Sequence, residues 1–350
     1  MSRRRYGVNQ AYHGRRKGGG ALKVLVALLA ILLVAGVLFL LFVPKEYTDN
    51  GVRLRFPWSA EEEPKPSDPI DPSALIVAES PSPSPTPEPL TVSAALEVPA
   101  DAVTNGTATE LASQAGADTL VIRVKDKEGN LAWQSDQELV QDSMNGDAAF
   151  GQAVSQLAQD GQLRLVARVS AFQDLWTSVY NRSLAVTTGA GELWYDSNGI
   201  SWLSVARQEA RDYLSALCLE LAELGFDEIL LTDVGYPTTG PLDKIDYNGA
   251  DRAASIRLFL EELRSALGEY GVAVSIELPP EVITSGADDT AGLVLSDIAP
   301  LVDRVYAVTT VDQIPALEAA VSAAGEDTDF VAELTGHSPD VTGSCLILAD

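Results

Sequence analysis

From about residue 91 onward, short apolar runs alternate with helix-like stretches, and no other feature restricts the fold as much. The runs are TVSAALEV (91–98), TLVIRVKD (119–126), LRLVARVS (163–170), EILLTDV (228–234), VAVSIEL (272–278), RVYAVTT (304–310), DFVAEL (329–334) and CLILAD (345–350). The clearest helical stretches are Val205 to Leu224 and Asp251 to Tyr270. In the first of these, Ala210, Tyr213, Leu214, Leu217, Leu221 and Leu224 recur at helical spacing. Strand–helix alternation implies a parallel sheet, because a parallel neighbour is reached only through a crossover. Eight strands in this length fit a (β/α)8 TIM barrel. The alternative is an open doubly wound sheet, but no Gly-rich phosphate loop follows the first strand.

The residues before the barrel read as three pieces. Residues 1 to 23 carry seven basic side chains and no acid, although the whole chain has a net charge of −26. Residues 24 to 43, VLVALLAILLVAGVLFLLFV, form an uncharged apolar run of the length that crosses a bilayer, about 20 residues. A signal peptide has a shorter apolar region followed by a small-residue cleavage site. This run ends in Phe42-Val43-Pro44-Lys45 instead, so it reads as an uncleaved anchor. The basic flank then stays cytoplasmic, and the barrel at 91–350 lies outside the cell. Residues 44 to 90 form a Pro/Ser/Glu-rich linker, with EEEPKPSDPIDP and SPSPSPTPEP, too polar and too proline-rich to build a core.

Composition excludes several functions. An acidic ectodomain lacks the basic footprint that phosphate backbones require, which argues against nucleic acid. The two histidines, His13 and His337, and the two cysteines, Cys218 and Cys345, have no metal-ligand spacing, so neither a metal nor a cofactor is expected. A disulfide is conceivable outside the cell, and two buried thiols are the expectation.

Four motifs in order, ADTLVIRVKDKEGN, LRLVARVSAFQD, GELWYDSNGISWLSV and ELGFDEILLTDVGYPTTG, resemble the DUF4015 family of glycoside-hydrolase-like domains. The resemblance spans roughly residues 91 to 350. It implies a bacterial TIM barrel, membrane-anchored or secreted, related to sugar-cleaving enzymes. The second family strand resembles VIDVKDDDG; Lys125 and Asp126 match, while Arg123 replaces its earlier acid. Arg168, Phe172 and Asp174 match the third strand, and Trp194 and Asp196 match the following loop. The fourth strand departs. Against the family's GFDEIQFDYVRFP, the strand-tip acid falls on Thr232 and the arginine on Gly235, with an acid one residue later at Asp233.

Strand alternation selects the candidates. If Leu165, Ala167 and Val169 face the helices, then Val166 and Arg168 point inward. The same reading turns Arg123, Lys125, Thr232, Glu277 and Glu333 inward, near the strand ends where barrel enzymes hold their sites. Glycoside hydrolysis needs two carboxyl groups across the scissile bond, and Asp233, Glu277 and Glu333 are the catalytic candidates. Asp126, Lys125, Arg168, Trp194, Asp196 and Tyr236 are candidates for sugar contacts. Alternatively, Arg123, Lys125 and Arg168 only neutralise Glu277 and Glu333, with Arg168 pairing Glu277, since a buried charge needs a partner. The aromatics after the third strand, including Trp176, Tyr180, Trp194, Tyr195 and Trp202, suit either a sugar ring or a packed lid. The expected function is a polysaccharide-directed domain, on cell-wall or extracellular glycan, with weakened chemistry because a hydroxyl stands where the acid should. The alternative is a non-catalytic carbohydrate-binding or envelope scaffold protein.

Overall fold

The computed structural model describes residues 45–48, 51–54, 94–336 and 343–348. The apolar run at 24–43, most of the linker, and His13 and His337 lie outside the described residues. Within the stretch read as linker, Lys45–Thr48 and Gly51–Leu54 pair as an antiparallel ribbon with Thr48 opposite Gly51. Among the described residues no helix is long and apolar enough to cross a membrane.

The rhythm becomes a closed barrel of eight parallel strands. In chain order they are β1 (Ala95–Val98), β2 (Thr119–Lys125), β3 (Arg164–Ser170), β4 (Glu228–Thr232), β5 (Ala273–Glu277), β6 (Arg304–Val308), β7 (Asp329–Leu334) and β8 (Cys345–Ile347). Each strand pairs with the next, and β8 returns to β1 through Leu346 opposite Ala95 and Ile347 opposite Leu96. Helices α1 (Ala100–Thr104) and α2 (Ala108–Ala115) follow β1, and α3 (Phe150–Asp160) follows β2. Helices α4 (Leu175–Tyr180) and α5 (Gln208–Leu224) follow β3, α6 (Arg252–Leu267) follows β4, and α7 (Pro280–Ser285) and α8 (Leu295–Ile298) follow β5. Helix α9 (Ile314–Ala324) follows β6.

Alternation along the strands builds two cores. Ile122, Leu165, Ala167, Val169, Ile229, Leu231, Val274, Ile276, Val305 and Ala307 face the helices in one large apolar cluster. Ala95, Val121, Val166, Leu230, Tyr306, Val331 and Leu346 point inward and fill the middle of the barrel. This inner layer divides the interior into a floor at the strand N-termini and a mouth at their C-termini. Cys218 on α5 is wholly buried, and burial pushes its thiol up to about 12. Cys345, at the start of β8, is half-buried.

One expected orientation is wrong. Arg123 is level with Arg168, but the next pairing is Lys125 with Val169, so the ladder slips by one residue at Val124. A strand that gains a residue reverses the facing of the side chains beyond it. Lys125 therefore leaves the inner face and buries its ammonium group against Asp174 (2.9 Å) and the Ser170 carbonyl (2.8 Å).

Candidate active site

The mouth is organised by Arg168. Its inward position on β3 carries the guanidinium to three carboxyl groups from three other strands. Nη1 and Nη2 donate to Glu333 of β7 at 3.0 and 3.2 Å, Nη2 also donates to Glu277 of β5, and Nε lies 3.9 Å from Glu97 of β1. Arg123 of β2 donates to Glu97 at 2.9 Å. For Glu277 and Glu333 around this largely buried guanidinium, desolvation and like charge both favour the neutral acid. Burial, reinforced by Glu277, pushes Glu333 up to about 7 against the pull of Arg168. Burial also raises Glu277; Arg168 opposes that shift and Asp233 adds to it. The two glutamates share their proton through one cluster and titrate together.

The tip of β4 supplies the remaining acid. Gly225, with φ +102°, ends α5 in the left-handed conformation and turns the chain into the strand. Inside the barrel, Leu230 and then Thr232 follow the alternation. Asp233 leaves it, with φ +53°, one of two non-glycine residues with positive φ among the described residues. The left-handed conformation costs an L-residue with a β-carbon, although aspartate tolerates it better than most. Here it swings the side chain to the mouth. Oδ2 accepts hydrogen bonds from Ser170 Oγ (2.8 Å) and Thr232 Oγ1 (3.0 Å), and Oδ1 lies 3.3 Å from the Lys127 ammonium. Strand alternation alone would have pointed Asp233 away; the backbone turn returns it.

Asp233, Glu277, Arg168, Thr232, Ser170, Asp126 and Lys127 line one cavity of about 420 Å3. Glu277 keeps 27% of its side chain accessible, whereas Glu333 has none. Glu333 therefore lies beneath Arg168 and out of reach of a ligand. Asp126 spends its carboxylate on its own loop, accepting from the backbone amides of Glu128 and Asn130 and from the Asn130 side chain. Among the described residues no group of three His, Cys, Asp or Glu side chains is placed to hold a metal ion.

The other candidate contacts lie elsewhere. Trp194 is buried and donates its indole N–H to the Pro241 carbonyl at 3.0 Å. Asp196 accepts from Gln173, Trp202 and the amides of Asn198 and Ile200, which pins the long loop after α4. Tyr236 is buried edge-on against Tyr247 and lines a separate cavity of about 390 Å3. None of the three lines the cavity of Asp233 and Glu277. Two mouth residues escaped the sequence reading, Glu97 and Lys127. Glu97 was legible as the charged residue two places after inward Ala95. Lys127 follows the slipped register of β2 and carries no periodic signal.

A family model matches residues 97–309, the stretch from the end of β1 through β6, with the tip of β4 inside it. The chain belongs to DUF4015. That family is described as a "Putative glycosyl hydrolase domain". Among solved structures, the DUF4015 barrel is similar to the PgaB (BpsB) glycoside hydrolase domain of Bordetella bronchiseptica. The identity is 16% and the TM-score 0.51, over 69% of this chain and 84% of that one. A hypothetical protein from Ruminiclostridium thermocellum is 22% identical with a TM-score of 0.46, covering 52% and 96%. The glycoside hydrolase domain of a PelA variant from Pseudomonas aeruginosa is 14% identical with a TM-score of 0.41, covering 70% and 84%. The first is a likeness of fold. No curated protein matches the chain. At the tip of β4 in the DUF4015 barrel, the Thr232 hydroxyl donates to Asp233.

Proposed function

We propose that this DUF4015 domain acts on a polysaccharide outside the cell, with Asp233 and Glu277 as its working pair. The observation that carries the reading is the left-handed turn at Asp233. It brings a carboxylate into the same cavity as Glu277, although the sequence places it on the wrong face. The roles follow from the surroundings. Glu277 is the proton donor: burial favours its neutral form, and part of its side chain faces the cavity. Asp233, beside Lys127 and two donating hydroxyls, sits as the carboxylate that a glycosidase uses as nucleophile or base. Arg168 and Glu333 position Glu277 from below. The apolar run at 24–43 and its basic flank support an anchored domain with the barrel on the far side of the membrane.

A second reading, recognition without cleavage, is favoured by one contact. Arg168 donates directly to Glu277 and opposes its protonation. The test is turnover of bacterial polysaccharides by the purified protein, alongside Asp233→Asn, Glu277→Gln and Thr232→Asp. Turnover in the parent that falls by about 100-fold or more in the first two supports the enzyme, since general acid–base help is worth ~10²–10⁴-fold. Thr232→Asp sets a second acid against Asp233 and is expected to lower turnover. A gain of activity there would show instead that Asp233 does not fill the role. Binding without turnover in the parent establishes the second reading.

A further inference from the structure

We propose that Trp176 and Tyr180 form a stacking subsite for a sugar ring of the same chain that enters the Asp233/Glu277 cavity. This deepens the polysaccharide reading and rests on it. Trp176 and Tyr180 are one turn apart on α4, with ring centroids 6.2 Å apart and planes 28° from parallel. They are 38% and 51% exposed, and Val179 beside them is exposed as well. A soluble domain exposes large aromatics singly without consequence, but three apolar side chains on one face of a six-residue helix form a patch.

The patch is rigidly joined to the cavity. Trp176 N–H donates to the Glu128 carbonyl at 2.9 Å, and Leu175 N–H donates to the Lys127 carbonyl at 3.3 Å. Both Lys127 and Glu128 line the cavity. The opposite face of α4 is fixed from within. Asp174 caps the helix through Thr177 N–H at 2.9 Å and holds the buried Lys125 ammonium, and Thr177 Oγ1 meets the Tyr213 hydroxyl at 3.1 Å. The register slip of β2 thus acquires a use. It turns Lys125 outward to hold the helix that presents the two rings.

Sugar rings carry apolar C–H faces and polar edges, so they bind where an aromatic face adjoins hydrogen-bonding groups. The mouth of this barrel has that layout. Acids and cations line the cavity at the reacting bond, and the main chain of the helix that carries the near-parallel rings is hydrogen-bonded to Glu128 at its edge. Trp194 and Trp202, by contrast, are buried and spend their indole N–H groups on Pro241 and Asp196.

The test uses the full chain in mild detergent, run through native gels containing glycol chitin, hydroxyethyl cellulose, laminarin or alginate. Parent protein is expected to be slowed in at least one gel. Trp176→Ala and Tyr180→Ala each weaken that retardation by about five- to tenfold; Trp176→Phe retains most of it. Asp233→Asn retains full retardation and loses turnover. Equal retardation of parent and Trp176→Ala overturns the subsite while leaving the hydrolase standing, as does a parent that none of the four gels slows. If Trp176→Ala loses retardation while Asp233→Asn keeps full turnover, the subsite stands and the proposed catalytic pair falls.

Discussion

At the floor of the barrel one carboxylate, Glu228, sits among two guanidinium groups, a phenol and a hydroxyl. Arg304 donates at 2.7 Å, Ser275 at 2.6 Å, Tyr306 at 2.9 Å and Arg164 at 3.4 Å. At the mouth Arg168 sits among Glu97, Glu277 and Glu333, and Arg123 also pairs with Glu97. The same strands and the same alternation build both, on opposite sides of one apolar layer. The floor has more positive than negative partners and offers its acid several donors. At the mouth, burial raises Glu277 and Glu333, and neighbouring acids add to the shift. A carboxylate supplied with four donors is a structural joint. A buried acid such as Glu333, raised to about 7, keeps a proton near neutral pH, which is what acid–base chemistry requires.

Four substitutions probe that difference. The largest effect is expected at the floor. Glu228→Gln removes the carboxylate that Arg304 and Arg164 share and should cost about 3–5 kcal/mol. Urea denaturation should show that loss. At the mouth, Arg168→Met should cost about 3 kcal/mol at pH 8 and clearly less at pH 5, where Glu277 and Glu333, both raised by burial, take up protons. An equal cost at both pH values would erase the distinction between the two clusters.

A smaller effect isolates one proton. Glu333 has a folded-state value of about 7 against 4.5 for the ordinary side chain. The folded protein therefore binds more protons than the unfolded chain between those values. The stabilisation from protonated Glu333 is complete below about 4.5 and is lost as pH rises through about 7. The stability of the parent relative to Glu333→Gln should accordingly fall across that window and level off above it. A flat difference would mean that Glu333 is ionised throughout. The smallest stability change is expected for Asp233→Asn, within about 0.5 kcal/mol, because asparagine also tolerates the left-handed backbone and can accept from Ser170 and Thr232. That variant separates chemistry from folding.

The strand order and the inward row of Arg168, Glu277 and Glu333 were legible because these strands alternate without interruption. A period of two fixes the face of every side chain once the apolar face is known. The reading failed where the backbone broke the period. At Val124 one slipped residue sent Lys125 to the helix layer, and at Asp233 one left-handed residue brought an acid back to the mouth. Trp194, Asp196 and Tyr236 were misplaced for another reason. Their partners, such as Pro241 and Tyr247, are brought up by long loops, and no local pattern encodes that approach. Glu228 obeyed the alternation but lies at the strand N-terminus, away from the end where candidates were sought.

The seam between β8 and β1 has a consequence for how the barrel is made. Leu346 pairs with Ala95 and Ile347 with Leu96, so the ring is sealed by two residue pairs drawn from opposite ends of the barrel sequence. Bringing such distant segments together is the slow entropic step for a parallel sheet. The first strand must therefore wait, with one edge unpaired, until the last has been synthesised and delivered. For a domain exported across a membrane, as proposed above, that open edge invites pairing with neighbouring chains. Amide exchange at Leu96 and Ile347 should be the earliest sign that the ring has begun to open.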